Sequence, residues 1–310
     1  MIFADNTPHN NPISNAGAAL GRVLFYDPRL SLTDRVACAS CHRQVFGFGD
    51  TVRFSPGIFG RHGARRTLAL ANARFNDHGR FFWDERAASL EAQVLVPIQD
   101  SLEMGLGLDS LERKLAATRY YPALFAAAFG SPRITRDRIA AALAQFVRSL
   151  LSGGSRFDSV FATGGAPDWS RLNAREQQGW RLFNASGCVN CHRAVTQFAD
   201  KANNIGLDSL PGGFKPASLR NVAVRPPYMH DGRFQTLDAV VEFYSKRIQD
   251  VPGLDPRLRG ADGGPRRLGL TSEQTAAVVA FLESLTDSTF LFAPKFSSPF
   301  TARDAHACRP

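Results

Sequence analysis

Apolar residues recur at helical spacing in two long stretches of the chain. Between residues 110 and 152, Ile139, Leu143, Phe146, Val147 and Leu150 keep one face apolar, so the stretch reads as helical. Near 271–286, Val278, Phe281, Leu282 and Leu285 mark a second apolar face, opened by Thr271 with Gln274 three residues on, the spacing of a capping box. Strand-like alternation is scarce. The pattern predicts a mostly α fold with long loops.

The same pattern repeats. Asn15-Ala16, Gly21 and Leu24-Phe25 reappear with identical spacing as Asn173-Ala174, Gly179 and Leu182-Phe183. Each copy reads as an amphipathic helix with Asn as N-cap and Gly where two helices cross closely. Further on, Leu70-Ala71-Asn72 and Gly79-Arg80-Phe81 match Leu219-Arg220-Asn221 and Gly232-Arg233-Phe234, and Leu90-Glu91-Ala92 matches Leu237-Asp238-Ala239. Anchored there, Pro97 falls opposite Tyr244. With Ser152-Gly153-Gly154-Ser155 and Gly164-Gly165-Ala166-Pro167 as punctuators, the chain divides into tandem domains over 1–165 and 166–310.

Each half carries one C-x-x-C-H motif: Cys38, Cys41 and His42, then Cys188, Cys191 and His192. Two thiols at this spacing add across the two vinyl groups of one haem, and the adjacent histidine becomes an axial ligand of the iron. A four-thiolate zinc site or a redox dithiol would explain the cysteines but not a histidine beside each pair. The expectation is two covalent c-type haems on two cytochrome c-like domains. Cys308, near His306 in an Arg-rich tail, is left as an unpaired surface thiol.

At 310 residues and 44% hydrophobic content the chain supports two domains with real cores. No apolar run is long enough to span a membrane. The first residues lack a secretory pattern, yet c-type haem is attached outside the bacterial cytoplasm; the reading is a periplasmic protein whose export signal has been removed. The formal charge of +9 favours a partner with an acidic docking surface. The arginines are scattered with no basic run or recognition motif, which argues against nucleic acid.

Several ordered motifs together resemble the bacterial di-haem cytochrome c peroxidase and MauG family: Leu20-Gly21-Arg22-Val23-Leu24-Phe25, Phe82-Trp83-Asp84-Glu85-Arg86-Ala87, Pro97-Ile98, Glu103-Met104-Gly105, Leu219-Arg220-Asn221 and Pro227-Tyr228-Met229-His230-Asp231-Gly232. The resemblance implies that the first haem is open and meets hydrogen peroxide, with Gln93, Pro97 and Glu103 on its distal side. Cleaving the O–O bond needs a proton taken from one oxygen and returned to the other, work for a carboxylate beside a hydrogen-bonding amide. Trp83 resembles the tryptophan between the two haems.

The second haem is expected to be six-coordinate. Its far ligand is a Met in many peroxidases of the family and a Tyr in MauG-like members, and the matching position is Tyr244. Met229 and His230 are the competing ligands. A loop histidine that covers the first iron in some relatives has His62 as its nearest candidate, while His78 reads as structural. Calcium, bound between the domains of many relatives, is disfavoured because Arg66 and Arg225 stand at the corresponding positions. A surface Trp of MauG is Ser186 here, with Trp180 and Trp169 as possible substitutes.

The function expected is a MauG-like oxidase that forms a high-valent state shared between two haems and oxidises an aromatic residue, such as a Trp, of a partner protein. The alternatives are a peroxidase fed by a small cytochrome c or cupredoxin, and a non-catalytic electron-transfer cytochrome.

Overall fold

The computed structural model describes residues 5–76, 78–162, 164–192, 201–208 and 212–300. Cys308 and His306 lie outside them. The helices are α1 (Asn15–Tyr26), α2 (Cys38–Cys41), α3 (Leu90–Gln99), α4 (Leu108–Ala116), α5 (Tyr121–Phe129), α6 (Arg136–Ser149), α7 (Arg156–Ser159), α8 (Ala174–Ala185), α9 (Leu237–Glu242), α10 (Ser272–Glu283) and α11 (Ser288–Leu291). Among the described residues extended pairing is limited to isolated bridges. The fold is helical, in two cytochrome c-like halves.

Each half is built on one crossing of two helices. α1 meets α6 where a Cβ on Gly21 would lie 2.0 Å from the Ala142 carbonyl oxygen, and α8 meets α10 where a Cβ on Gly179 would lie 1.9 Å from that of Ala277. Only hydrogen fits at either point, so glycine sets how closely the helices approach. The N-cap expected at Asn is found in the second half, where Asn173 Oδ1 accepts from Glu176 N and Glu176 Oε2 accepts from Asn173 N. In the first half the cap moves back one residue to Ser14, whose hydroxyl accepts from Gly17 N at 3.0 Å.

The stretch 110–152 is not one helix. It breaks after Ala116 and again at Gly130, whose φ of 74° closes α5, before Thr135 caps α6. α6 then buries Ile139, Leu143, Phe146 and Val147 as its apolar period requires. The helix expected near 271–286 is α10, with Thr271 and Gln274 forming the capping box.

The two cores exchange segments. Phe157 and Val160 pack with Phe183, Phe281 and Leu282 in the second core. Phe290, Leu291 and Phe296 pack with Phe25, Phe48 and Phe146 in the first. Gln44 Nε2 fastens that return by donating to Phe290 O and Ala293 O.

The halves meet at a duplicated joint. Asn72 (φ 61°) and Asn221 (φ 55°) adopt the left-handed conformation that Asn tolerates better than most side chains. Their backbone N–H groups donate to Leu150 O and Leu285 O. Their side-chain oxygens accept from Ser152 N and Asp287 N, both at 2.8 Å. Ser152 Oγ closes the joint by donating to Asp287.

Candidate functional site

Each C-x-x-C-H motif lines its own cavity. In the first half, α2 presents Cys38 and Cys41, and His42 Nδ1 lies 3.0 Å from Phe48 O. In the second, Cys188 and Cys191 flank a single helical turn, and His192 Nδ1 lies 3.0 Å from Ala217 O. A carbonyl only accepts, so Nδ1 carries the proton in both rings and Nε2 keeps its lone pair for a ligand. Burial lowers the pKa of His42 and brings that of His192 down to about 4, which keeps both rings neutral.

The same burial pushes Cys38 up to about 12 and Cys188 up to about 11. Such thiols are not the activated nucleophiles of a redox dithiol. Because the motifs line separate cavities, they do not form a shared four-thiolate site.

The first cavity, about 460 Å³, brings together Gln93, Pro97 and Glu103 with Cys38, Cys41 and His42. Gln93 and Pro97 are four apart on α3 and share its inner face. Glu103 follows in a tight turn closed by Gly105 N to Asp100 O at 2.9 Å, and its own carbonyl accepts from Ile58 N at 2.8 Å. Gly105 is required there: its φ is 63° and a Cβ would meet Ile58 Cδ1 at 2.4 Å. Burial and then the nearby Asp100 raise the Glu103 pKa, while Arg86 opposes them. His62 lies on the exposed loop, with Nδ1 3.1 Å from Phe54 O, and does not line this cavity. His78 is exposed.

The second cavity, about 200 Å³, holds Tyr244, Met229 and His230 with Cys188, Cys191 and His192. Ser89 and Thr236 cap α3 and α9 in the same way, and Pro97 and Tyr244 are each the eighth residue after the cap. α3 carries its proline inside a regular helix, whereas α9 widens into a π turn over Phe243–Arg247. That turn, a feature often found at functional sites, aims Tyr244 into the cavity. It is held by Leu268 N to Ser245 O at 3.0 Å and Leu270 N to Ser245 Oγ at 2.9 Å. Burial raises the Tyr244 pKa far above that of a free phenol.

Trp83 lines both cavities, together with Arg66 and Lys215. Its indole N–H donates to Arg66 O at 2.7 Å, and its backbone carbonyl accepts from Lys215 N at 2.8 Å. Its ring meets Phe214 and His230 edge-on at 6.3 and 6.4 Å; those two stack at 3.6 Å, and His230 Nε2 lies 3.3 Å from Asp208. Trp180 stacks between Trp169 and Phe183, and Phe183 lines the second cavity.

Arg66 and Arg225, read in the sequence as standing in for calcium, are buried at the junction. Arg66 Nη2 donates to Asp50 O and, at 2.6 Å, to Arg225 O. Burial brings their pKa values down to about 10 and about 9. The Nε of each has no partner among the described residues. Lys215, also buried, is lowered to about 8 by desolvation, against the pull of Glu85. It was not singled out in the sequence because an isolated Lys beside Pro216 has no pattern.

Paired thiols and a neutral imidazole with Nε2 free occur twice, and with the buried cations at the junction, which keep spare N–H groups, they suit haem and its carboxylates. The fold and site therefore define a helical two-haem oxidoreductase with one tryptophan lining both cavities.

The sequence model of the di-haem cytochrome c peroxidases matches residues 15–165. The methylamine utilization protein MauG of Methylorubrum extorquens is 34% identical over 296 residues, covering 90% of this chain and 80% of that protein. Cytochrome c551 peroxidase of Nitrosomonas europaea is 31% identical, covering 90% and 81%. Among solved structures, a MauG-like protein associated with microbial copper homeostasis superposes with a TM-score of 0.83 at 30% identity, covering 97% of each chain. The chain belongs to the di-haem cytochrome c peroxidase and MauG family. It is a haem oxidoreductase acting on peroxide with a redox partner.

Proposed function

We propose that this protein, in the periplasm, uses hydrogen peroxide to oxidise an aromatic residue, such as a Trp, of a partner protein. The observation that carries this reading is Tyr244 on its π turn, lining the second cavity together with His192. Haem bound through Cys38 and Cys41, and through Cys188 and Cys191, supplies the redox chemistry with peroxide. His42, His192 and Tyr244 would be the protein ligands of the two irons. A phenolate oxygen is a hard anionic donor that favours the oxidised metal, which suits a centre that stores an oxidising equivalent.

In the first cavity Glu103 takes a proton from peroxide and returns one to the leaving oxygen, with Gln93 donating a hydrogen bond. Its raised pKa places it closer to neutrality than an ordinary glutamate. Pro97 leaves the distal space without a ligand, and Trp83 joins the two centres.

The experiment is to add one equivalent of hydrogen peroxide to the fully ferric holoprotein and follow its visible and near-infrared spectra. A long-lived change with a near-infrared band supports the reading. No response until one haem is reduced would instead favour the second reading, a peroxidase fed by a small cytochrome c or cupredoxin, which the similarity to cytochrome c551 peroxidases keeps open. No response in either state would leave only an electron-transfer cytochrome.

A further inference from the structure

The cavities differ in the charges that line them. The first combines Arg65, Arg66, Arg86 and Lys215 with Asp84, Asp100 and Glu103. The second has Arg66, Lys215, Arg225, Arg257 and Arg266, with no carboxylate among its described lining residues. Arg66, Arg225 and Lys215 lie inside, at the junction. Arg257 and Arg266 belong to an outer hairpin.

That hairpin, residues 255–267, turns at Gly260, whose N–H donates to Gly264 O at 2.8 Å, with Arg259 bridging Pro265. Arg257 Nη1 donates to Asn190 O at 3.2 Å and Arg266 Nη1 to Ser186 O at 3.0 Å. The hairpin therefore holds one carbonyl within the Cys188–Cys191 loop and one just before it. Arg267 reaches back to Ile248 O at 2.7 Å, just beyond the turn that carries Tyr244. Three of the local acids are already paired, Asp255 with Arg257, Asp250 with Arg259 and Glu242 with Arg247, while Asp262 at the tip accepts from Gly264 N. Lys246, Arg266 and Arg267 have no carboxylate partner among the described residues.

We propose that this arginine hairpin is the docking face for an acidic redox protein, which passes electrons singly to the centre in the second cavity. The proposal rests on the two-haem peroxide reading above. It holds whether the partner is a donor or the protein being oxidised, since electrons leave the partner in both cases. Each encounter oxidises the partner by one electron; two encounters and two protons reduce one hydrogen peroxide to two waters. An acidic surface is attracted here, whereas at the first cavity Asp84, Asp100 and Glu103 offset most of the charge of the four cations.

The test uses the holoprotein with peroxide and two reduced probes of similar potential, a small acidic cupredoxin and a small basic cytochrome c. For the cupredoxin, KM is expected to rise about tenfold between low and physiological salt, and the basic cytochrome to show no such rise. Lys246→Glu with Arg267→Glu should raise the cupredoxin KM about tenfold at low salt while kcat stays within about twofold. Lys246→Glu alone, which breaks no described hydrogen bond, should act in the same direction by a smaller factor. Arg133→Glu, exposed in the first half, should leave KM unchanged. Equal salt dependence for both probes, or an unchanged KM in both hairpin variants with intact haem spectra, would overturn the docking assignment. Failure to consume peroxide with any donor would instead overturn the reading beneath it.

Discussion

In the first half α3 stays a regular helix and brings Pro97 to its cavity; in the second, the matching α9 widens into a π turn and brings Tyr244 to the same relative place. A proline side chain has no atom that binds iron, and a phenol has one. From a duplicated scaffold, one substitution and one extra residue in a hydrogen-bonded turn set the two cavities apart, and on the proposed reading this gives an open centre for peroxide and a closed centre for electrons. The surroundings differ too: three carboxylates and four cations line the first cavity, while the Asp, Glu, Lys and Arg residues that line the second are all cations among the described residues.

The largest break in this comparison is Glu103→Gln, which removes the proposed proton carrier of the first cavity. Turnover of peroxide is expected to fall by about 10² to 10⁴, measured as kcat/KM, with the haem spectrum retained. Tyr244→Phe should come next, turning the second half into a copy of the first. A second high-spin ferric signal is expected in the EPR spectrum, and an unchanged spectrum would reassign the ligand to Met229 or His230.

Gly179→Ala tests the scaffold on which the comparison rests. A methyl 1.9 Å from Ala277 O has to push α8 from α10, costing about 1–3 kcal/mol or more in urea unfolding. Gly21→Ala should cost a similar amount in the first half, where the clash is 2.0 Å from Ala142 O.

The smallest effect is in pH. Glu103 acts as a base, so activity needs it ionised; its pKa is raised, so the acid limb of kcat/KM should lie above the ordinary glutamate value of 4.5. Asp100→Asn removes a like charge and should shift that limb downward.

Much of this division was legible in the sequence because the duplication supplies an internal reference. The glycines of the repeated helix are recognisable since nothing larger fits at either crossing. The pairing of Pro97 with Tyr244 is recognisable since both follow a capped Leu-acid-Ala start. What stayed hidden depends on contacts distant along the chain. The return of Phe290 and Phe296 to the first core, and the passage of Phe157 to the second, leave no periodic trace. Lys215, Arg257 and Arg266 matter for where they fold, and no local pattern marks them.

Cyanide binding to the fully ferric holoprotein, followed by EPR, tests the open and closed halves most directly. One haem should change its signal at stoichiometric cyanide while the other keeps the spectrum of the untreated protein, and Tyr244→Phe should make both respond. Two responding haems in the unmodified protein, or none, would contradict the account.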